Sequence, residues 1–297
     1  MKKVTFVILH YMALKETKEC IESILNNVDY NNYKIVIVDN KSPNNTGIQL
    51  KDIYFNNNRI TVILSDKNLG FAQGNNLGYI YAKETLKSDF IILINNDTII
   101  KQSEFINIAL NTFNKEPYHV LGPDIISTQG QKLHQNPVRL VGVTKKELKK
   151  RIRNIKIKYA IQYFIFNTKS EKLFEKFNNI SKKLIKIKKE DDVNTYHLEK
   201  RENVQLHGAC IILSSLYIEH FDYAFYPKTY MYMEEDILYY LCKKNRFKTI
   251  YNPEMKIYHK EDASTDMLVK SNIKKMIFVL KHSKDSANVL YELMNEK

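Results

Sequence analysis

The chain has 297 residues, 44% of them hydrophobic, which is enough for the buried core of one large domain or two smaller ones. This composition excludes a low-complexity or disordered protein. The formal net charge is +13, and a basic excess of this size favours a polyanionic partner such as a membrane surface, a pyrophosphate-linked acceptor or nucleic acid.

The cysteines and the apolar segments indicate the cellular setting. Cys20, Cys210 and Cys242 form no CxxC pair, which argues against a zinc site and a disulfide framework and favours a reducing, cytoplasmic environment. The apolar run Val4–Leu9 is too short for a signal peptide, and no stretch approaches the roughly 18 residues of a membrane span. We therefore expect a soluble or peripheral protein.

The first part of the chain alternates predicted strands and helices. Strands are predicted at 4–9, 33–40, 59–66 and 89–97, and helices at 14–27 and from about 72 to 87. This β-α-β order predicts a mostly parallel sheet with helices on both faces. Ligands of such sheets bind beyond the carboxyl ends of the strands. Asp39 and the Asn95-Asn96-Asp97 trio both lie at such ends, so we expect them to converge on one crevice.

A basic segment interrupts this alternation. Between Val143 and Glu190 there are 16 Lys and Arg against 4 Asp and Glu, so nearly the whole net charge lies in one helix-prone stretch. After it, a strand is predicted at 205–215, a helix at 234–244 and a closing strand within 247–259. A final helix is expected from Ser271 onward.

Several polar groups are candidates for chemistry, each with a plainer alternative. Asp97 either supplies an oxygen ligand suited to Mg²⁺ or Mn²⁺, or belongs to a polar turn. Asp39 either binds a base or ribose of a ligand, or forms an Asx turn. The loop at 68–76 brings backbone N–H groups to a ligand or caps a helix. The Glu234-Glu235-Asp236 cluster supplies a general base or stabilises a helix start.

The order of these pieces resembles bacterial family 2 (GT-A fold) glycosyltransferases, especially the rhamnosyltransferase-like branch of surface-polysaccharide synthesis. The resemblance covers most of residues 1–265. The segments that carry it are VILHY, VIVDNKS, NLGFAQGNNLG, ILINND, HGACIILS, MYMEEDILYYL and YNPEMKIYHKEDAS. It implies a Rossmann-like central sheet flanked by helices, with a basic helical insertion and a C-terminal helix.

The resemblance also implies roles for individual residues. Asp39 would recognise a pyrimidine nucleoside, and Asp97 would bind the metal at the last position of the family's DxD motif, where Asn95 departs from the expected acid. His259 would complete the metal site. Glu235 would be the base, with Asp236 and Glu234 as alternatives. The remaining donor-binding positions are His10, Tyr11, Asn40, Asn68, Gly70, Asn75, Asn95 and Asn96, and the acceptor-binding positions are His207, Gly208 and Tyr232.

The implied activity is inverting transfer of a sugar from a UDP- or dTDP-sugar, with Mg²⁺ or Mn²⁺, to a glycan on a polyprenyl diphosphate at the inner membrane face. It would serve capsule, O-antigen or cell-wall synthesis. The implied division is a GT-A domain at 1–265, with a nucleotide-sugar half (1–126), a basic insertion (143–200) and an acceptor half (201–265), followed by a helical tail at 266–297. The basic insertion would rest on anionic lipid or be a solvated helix.

Three other interpretations compete with a glycosyltransferase. A sugar nucleotidyltransferase would share the crevice and metal, but VILHYMALKET lacks the glycines of its N-terminal signature. A basic module that binds nucleic acid would fit the pI near 9.3, although no RNP-like, zinc-finger or helix-turn-helix pattern is present. The third is a structural partner protein with a decayed site.

Overall fold

The structure is a computed structural model, and it describes residues 1–128, 133–168, 197–260 and 272–296. The strands are β1 Val4–His10, β2 Tyr33–Asp39, β3 Ile60–Leu64, β4 Phe90–Asn95, β5 Thr98–Ile99, β6 Val120–Ser127, β7 Arg201–Glu202, β8 Cys210–Leu213 and β9 Thr249–His259. The helices are α1 Leu14–Asn27, α2 Thr46–Ile53, α3 Gly70–Ile80, α4 Phe105–Lys115, α5 Lys145–Thr168, α6 Ser215–His220, α7 Glu234–Lys244 and α8 Asn272–Leu293. A π-helical turn, Tyr81–Thr85, extends α3.

These nine strands belong to one sheet, in the order β3-β2-β1-β4-β8-β6-β9-β5, with β7 added against β9. Strands β3, β2, β1 and β4 pair in parallel, β8 runs antiparallel between β4 and β6, and β6 pairs in parallel with β9. The predicted α/β architecture, a central sheet flanked by helices, is confirmed. The reversal at β8 separates a continuous parallel half from the mixed half that carries β9.

Alternate side chains of the strands enter two separate cores. Phe6 and Ile35 face a core that includes α1 and α4, whereas Val7 and Val36 face one that includes α3 and α6. Such burial on both faces is why these strands are nearly continuous apolar runs rather than alternating ones.

A third, smaller core joins α5, α7 and α8. Leu148 and Ile152 of α5 pack with Ile237 of α7 and with Ala287 and Leu290 of α8. The final helix is therefore docked against the body of the protein, and it contacts both the basic helix and the helix that begins with the acidic cluster.

Most predicted elements occur close to their predicted bounds, and α7 begins and ends where the sequence predicts. Helices α2, α4 and α6 and strands β5, β6 and β7 were not predicted. The predicted strand at 205–215 shortens to β8 because Gly208 and Ala209 form a turn. Within the basic insertion, 169–196 lies outside the described residues, as do 261–265 and Ser271. No helix of the described part of the chain is long and apolar enough to cross a membrane.

Candidate active site

Polar residues gather at the carboxyl edge of the parallel strands. His10 of β1 pairs with Asp39 of β2, and Leu9 pairs with Asn95 of β4. Neighbouring strands thus end at nearly the same level. The two polar clusters that the sequence places at strand ends do lie at one edge, as the parallel order requires.

A cleft opens at this edge. Six of the predicted donor-binding residues line it, namely Tyr11, Asn40, Asn68, Gly70, Asn95 and Asn96. Leu9, Phe71, Tyr230 and Met231 complete the lining and were not predicted. Tyr230 and Met231 belong to the aromatic run before the acidic cluster, which was the signal that could have identified them.

Asn40 fixes the shape of the loop beside the cleft. Its Oδ1 accepts a hydrogen bond from the Leu69 N–H at 2.7 Å, and its Nδ2 donates to Asn68 Oδ1 at 3.1 Å and to the Gly70 carbonyl at 3.0 Å. The Tyr230 hydroxyl donates to the same Asn68 oxygen at 2.9 Å. These hydrogen bonds fix the shape of the cleft wall, and they use much of the hydrogen-bonding capacity of Asn40 and Asn68 within the protein.

Gly70 permits a close approach between this loop and residue 230. Its φ is +75°, and a Cβ at this position would lie 2.1 Å from the Tyr230 carbonyl oxygen. That carbonyl accepts a hydrogen bond from the Phe71 N–H at 2.7 Å. Glycine is therefore required both by the left-handed backbone and by the available space.

His10 is fully buried, unlike the predicted donor-binding residues that line the cleft. Its ring nitrogens lie 2.7 Å from Thr17 Oγ1 and 2.9 Å from Thr46 Oγ1. Burial lowers the pKa of His10 to about 4, although the Asp39 charge acts in the opposite direction. A neutral His10 is therefore enclosed by these two threonines and does not line the cleft.

Asp39 and Asn75 also lie outside the cleft lining. The Asp39 carboxylate accepts hydrogen bonds from the Ser42 N–H, at 3.2 Å and 3.3 Å, as an Asx turn does. It rests on Gly47, where a Cβ would lie 2.2 Å from Asp39 Cγ. Asn75 donates to the Phe71 carbonyl within α3.

Asp97 and His259 meet at the end of β4 and β9. His259 Nε2 lies 3.2 Å from Asp97 Oδ1, and His259 Nδ1 lies 2.8 Å from Gln135 Oε1. Gln135 Oε1 can only accept, so this contact requires a proton on Nδ1; in the neutral form of the ring, Nε2 would then present a lone pair to the carboxylate. Asp97 Oδ1 accepts no hydrogen bond from any described residue.

In that form the Asp97 carboxylate and His259 Nε2 are two acceptors that face one another, an arrangement that fits a divalent cation. Metal-bound histidines commonly donate their second N–H to an oxygen, as the Nδ1 of His259 does to Gln135. Within the described ranges, no three His, Cys, Asp or Glu side chains cluster as a ligand set. Asp97 and His259 therefore supply two ligands, and a cation there would need oxygens from a bound diphosphate and from water.

The acidic cluster begins α7 after two strained residues. Tyr232 and Met233 have φ of +73° and +66°, an unfavourable backbone conformation for non-glycine residues. Strain of this kind often accompanies functional sites. The left-handed pair turns the chain sharply into α7, which places three consecutive acids in its first turn.

The three acids have different surroundings. Glu234 is 4% exposed, its Oε1 has no hydrogen-bond partner among the described residues, and burial, helped by the Glu235 charge, raises its pKa to about 8. Burial also raises the pKa of Glu235, against backbone hydrogen bonds that include the one from Gly208. Burial raises the pKa of Asp236 too, against the Arg151 guanidinium, whose Nη1 lies 3.7 Å from Asp236 Oδ2.

The predicted acceptor-binding residues lie between the acidic cluster and the Asp97–His259 pair. The Gly208 N–H donates to Glu235 Oε1 at 3.1 Å. The ring of His207 lies 5.9 Å from the ring of His259, and its Nδ1 accepts the Ala209 N–H. The turn before β8 thus lies between the candidate base and the Asp97–His259 pair.

Two helices outside the sheet contribute residues that the sequence did not single out. Ser286 of α8 donates to the Met231 carbonyl at 2.9 Å, and the His282 ring lies 4.7 Å from the Tyr230 ring. Arg151 of α5 faces Asp236. No sequence signal distinguishes Ser286 from other tail residues or Arg151 from the surrounding cations.

Residues 5–174 match the family described as Glycosyl transferase family 2, which is more than half of the chain. The chain therefore belongs to glycosyl transferase family 2. A curated relative, glycosyltransferase GlyG of Streptococcus pneumoniae serotype 4 (strain ATCC BAA-334 / TIGR4), is 28% identical over 119 residues, which are 40% of this chain and 38% of GlyG. The matched region thus spans well under half of that relative.

Solved structures of TarS from S. aureus share the fold. The crystal structure of TarS 1–349 aligns over 98% of this chain and 70% of its own, with a TM-score of 0.53 at 15% identity. The same fragment in complex with UDP aligns over 99% and 71%, with a TM-score of 0.53 at 13% identity. At these identities the similarity concerns the fold, which is the GT-A-like α/β architecture.

Proposed function

We propose that this family 2 member transfers a sugar from a UDP- or dTDP-sugar to a hydroxyl of a glycan acceptor, with inversion at the anomeric carbon. The observation that carries this proposal is the neighbourhood of three features at one edge of the sheet. These are the cleft lined by the asparagines, the Asp97–His259 pair, and Glu235 held by Gly208. The complex of TarS with UDP supports a uridine nucleotide as the first donor to test.

In this proposal the cleft binds the donor. Tyr11 and the loop of Asn68 and Gly70 contact the nucleoside and sugar, while Asn95 and Asn96 face the diphosphate. Asp39 recognises the pyrimidine from the end of β2, and its contact with the Ser42 N–H leaves carboxylate lone pairs for a ligand. Asp97 and His259 would hold Mg²⁺ or Mn²⁺, and the bound ion would neutralise charge on the leaving diphosphate.

The proposed chemical step uses one carboxylate of the cluster. Glu235 removes the proton from an acceptor hydroxyl, and the oxygen forms a bond to the anomeric carbon. The bond from that carbon to the diphosphate oxygen breaks, and its electron pair leaves with the nucleoside diphosphate. One displacement inverts the configuration, and no covalent enzyme intermediate is needed.

The surroundings of the three acids favour Glu235 as the base. Glu234 is buried, and its pKa of about 8 keeps most of it protonated near neutral pH, so it does not take up the proton of the acceptor. Asp236 faces the Arg151 guanidinium. Glu235 is half-buried and lies beside the His207-Gly208 turn, where the acceptor would bind with Tyr232.

The finer assignments follow the resemblance of the sequence segments. We place the chain in the rhamnosyltransferase-like branch, with a hexosyl or deoxyhexosyl donor and a lipid-linked glycan acceptor in capsule, O-antigen or cell-wall synthesis. We keep the division into a GT-A domain at 1–265 and a helical tail at 266–297, and we place the protein in the cytoplasm.

A thermal-shift screen followed by a transfer assay tests the proposal. UDP, dTDP and their sugars, each with Mn²⁺ or with a chelator, should raise the melting temperature of the protein, and purine nucleotides should not. Release of nucleoside diphosphate from the stabilising sugar nucleotide should then require an acceptor glycan. No shift with any pyrimidine nucleotide in either condition would overturn the proposal.

A further inference from the structure

Helix α5 is held in one orientation by its buried side. Leu148 and Ile152 pack against Ile237 of α7 and Leu290 of α8, and Arg151 faces Asp236. The same side of the helix stays buried toward its C-terminal end, at Ile155, Gln162 and Ile165, and its opposite side points away from the protein.

That opposite side carries a stripe that we call the outer stripe. It consists of Lys146, Lys150, Arg153, Ile157, Ala160 and Phe164, all of them exposed. The successive spacings of three and four residues place these side chains on one face of an α-helix. The outer stripe therefore forms a continuous surface about 27 Å long, at 1.5 Å per residue.

The outer stripe has a cationic half and an apolar half. Among the described residues, none forms an ion pair with Lys146, Lys150 or Arg153, so their charges face solvent. Ile157 is 53% exposed and Phe164 is 63% exposed. Two large apolar side chains beside free cations on one helix face are the pattern of helices that lie in a membrane interface.

We propose that the outer stripe of α5 docks on a bilayer that contains anionic lipid. The lysines and Arg153 would contact headgroup phosphates, while Ile157 and Phe164 would enter the boundary with the acyl chains. A soluble polyanion would satisfy the cations but would leave the two apolar side chains in water. The apolar half therefore favours a bilayer over nucleic acid or an anionic polymer.

Docking through this face has a geometric consequence for the site. The inner side of α5 contacts the helix that begins with the acidic cluster, through Arg151 and Asp236. With α5 on the surface, that cluster would lie within about one helix diameter, 10–12 Å, of the lipid headgroups. The docking itself requires neither donor nor catalysis, so it stands or falls independently of the proposed transferase activity.

Vesicle flotation of the full chain, without nucleotide or metal, tests the proposal. Vesicles of phosphatidylcholine alone are compared with vesicles that also contain phosphatidylglycerol. One double variant, Lys146→Glu with Lys150→Glu, reverses the cationic half, and another, Ile157→Ser with Phe164→Ser, removes the apolar half. Circular dichroism and thermal melts confirm that each variant is folded.

Matched controls carry the same substitutions on other exposed surfaces. Lys51→Glu with Lys115→Glu makes the same change in net charge, and Ile48→Ser with Phe55→Ser removes side chains that are 52% and 80% exposed. We expect the wild-type chain and both controls to float only with anionic vesicles. Each outer-stripe variant should bind those vesicles at least about tenfold more weakly, since each surface cation contributes severalfold and each large apolar side chain that leaves water contributes about tenfold.

Three outcomes would overturn the proposal. The first is that the wild-type chain does not float with anionic vesicles. The second is that the outer-stripe variants float as well as the wild type, which would place membrane binding elsewhere. The third outcome combines two results: polyphosphate or RNA binds as tightly as the vesicles do, and the double variant Ile157→Ser, Phe164→Ser binds vesicles normally. Together they would make the outer stripe a site for soluble polyanions.

Discussion

Glu235 accepts a hydrogen bond from the backbone N–H of Gly208 at 3.1 Å, and this contact joins the start of α7 to the turn before β8. A Cβ on residue 208 would lie 2.5 Å from the same carboxylate oxygen. The absence of a side chain at Gly208 is thus what lets the carboxylate rest against the backbone. The orientation of the Glu235 carboxylate, the candidate base, is therefore set by Gly208 in the turn before β8.

The first prediction concerns this carboxylate. Glu235→Gln keeps the shape of the side chain but removes its ability to take a proton, so the transfer rate should fall by about 10²- to 10⁴-fold. Affinity for UDP should stay near the wild-type value, which a calorimetric titration measures. The matched variant Asp236→Asn should retain more activity. An inactive Asp236→Asn beside an active Glu235→Gln would move the base to Asp236.

The second prediction concerns the Asp97–His259 pair. If this pair holds a divalent ion, Mn²⁺ should tighten UDP binding, and Asp97→Asn should remove that gain while leaving the affinity measured in a chelator unchanged. Asp89→Asn, which alters a surface carboxylate paired with Lys2, is the control and should keep the gain. Equal responses of the two variants to Mn²⁺ would show that Asp97 is not a metal ligand.

The third prediction concerns Ser286. Ser286→Ala removes the hydrogen bond to the Met231 carbonyl, and the free energy of unfolding should fall by about 1 kcal/mol. Met231 lines the cleft and precedes the strained pair Tyr232-Met233, so kcat should fall as well. Ser23→Ala, in α1, removes a hydroxyl that donates to the Cys20 carbonyl and accepts the Ile100 N–H; it should cost at least as much stability with kcat unchanged. Equal kcat for both variants would make Ser286 purely structural.

The fourth prediction concerns Glu234 and pH. Its pKa is raised to about 8 in the folded protein, against about 4.3 in an unfolded chain. The stability that its bound proton contributes is fully present below about pH 4.3 and is lost as the pH rises through about 8. Glu234→Gln cannot titrate, so its stability relative to the wild type should increase between pH 5 and pH 9, by up to a few kcal/mol.

Urea unfolding at several pH values measures this difference. The matched variant is Glu84→Gln, an exposed acid beside Lys87, which should show little change with pH relative to the wild type. Parallel pH profiles for the wild type and Glu234→Gln would mean that the Glu234 carboxyl is ionised in the folded protein.

Elements that depend on local pattern were predictable from the sequence. The apolar runs at β1, β2 and β4 are buried on both faces, and α7 has its acids in the first turn, so the local sequence pattern locates these elements to within one or two residues. Helix α4 was missed although its apolar residues have helical spacing. It follows Glu104, which makes no side-chain capping hydrogen bond, so no local signal marks where it begins.

Contacts between distant segments were not predictable. The sequence placed His10 and Asn40 together in the donor site, but only the fold shows that His10 is enclosed by Thr17 and Thr46 while Asn40 reaches the loop beside the cleft. The hydrogen bond from α8 to the Met231 carbonyl comes from a single serine, Ser286. Which of eight Lys and Arg in α5 faces Asp236 depends on the packing of the helix, which charge alone does not encode.

The hydrogen bonds of Tyr230 make two parts of the site thermodynamically dependent on one another. Its carbonyl and hydroxyl hold the 68–71 loop, and the chain runs from it through only three residues to Glu234. A ligand that orders the loop therefore also restricts the backbone that orients the acids. Occupancy of the cleft and alignment of the acids then belong to one equilibrium, so a ligand that stabilises one arrangement also stabilises the other.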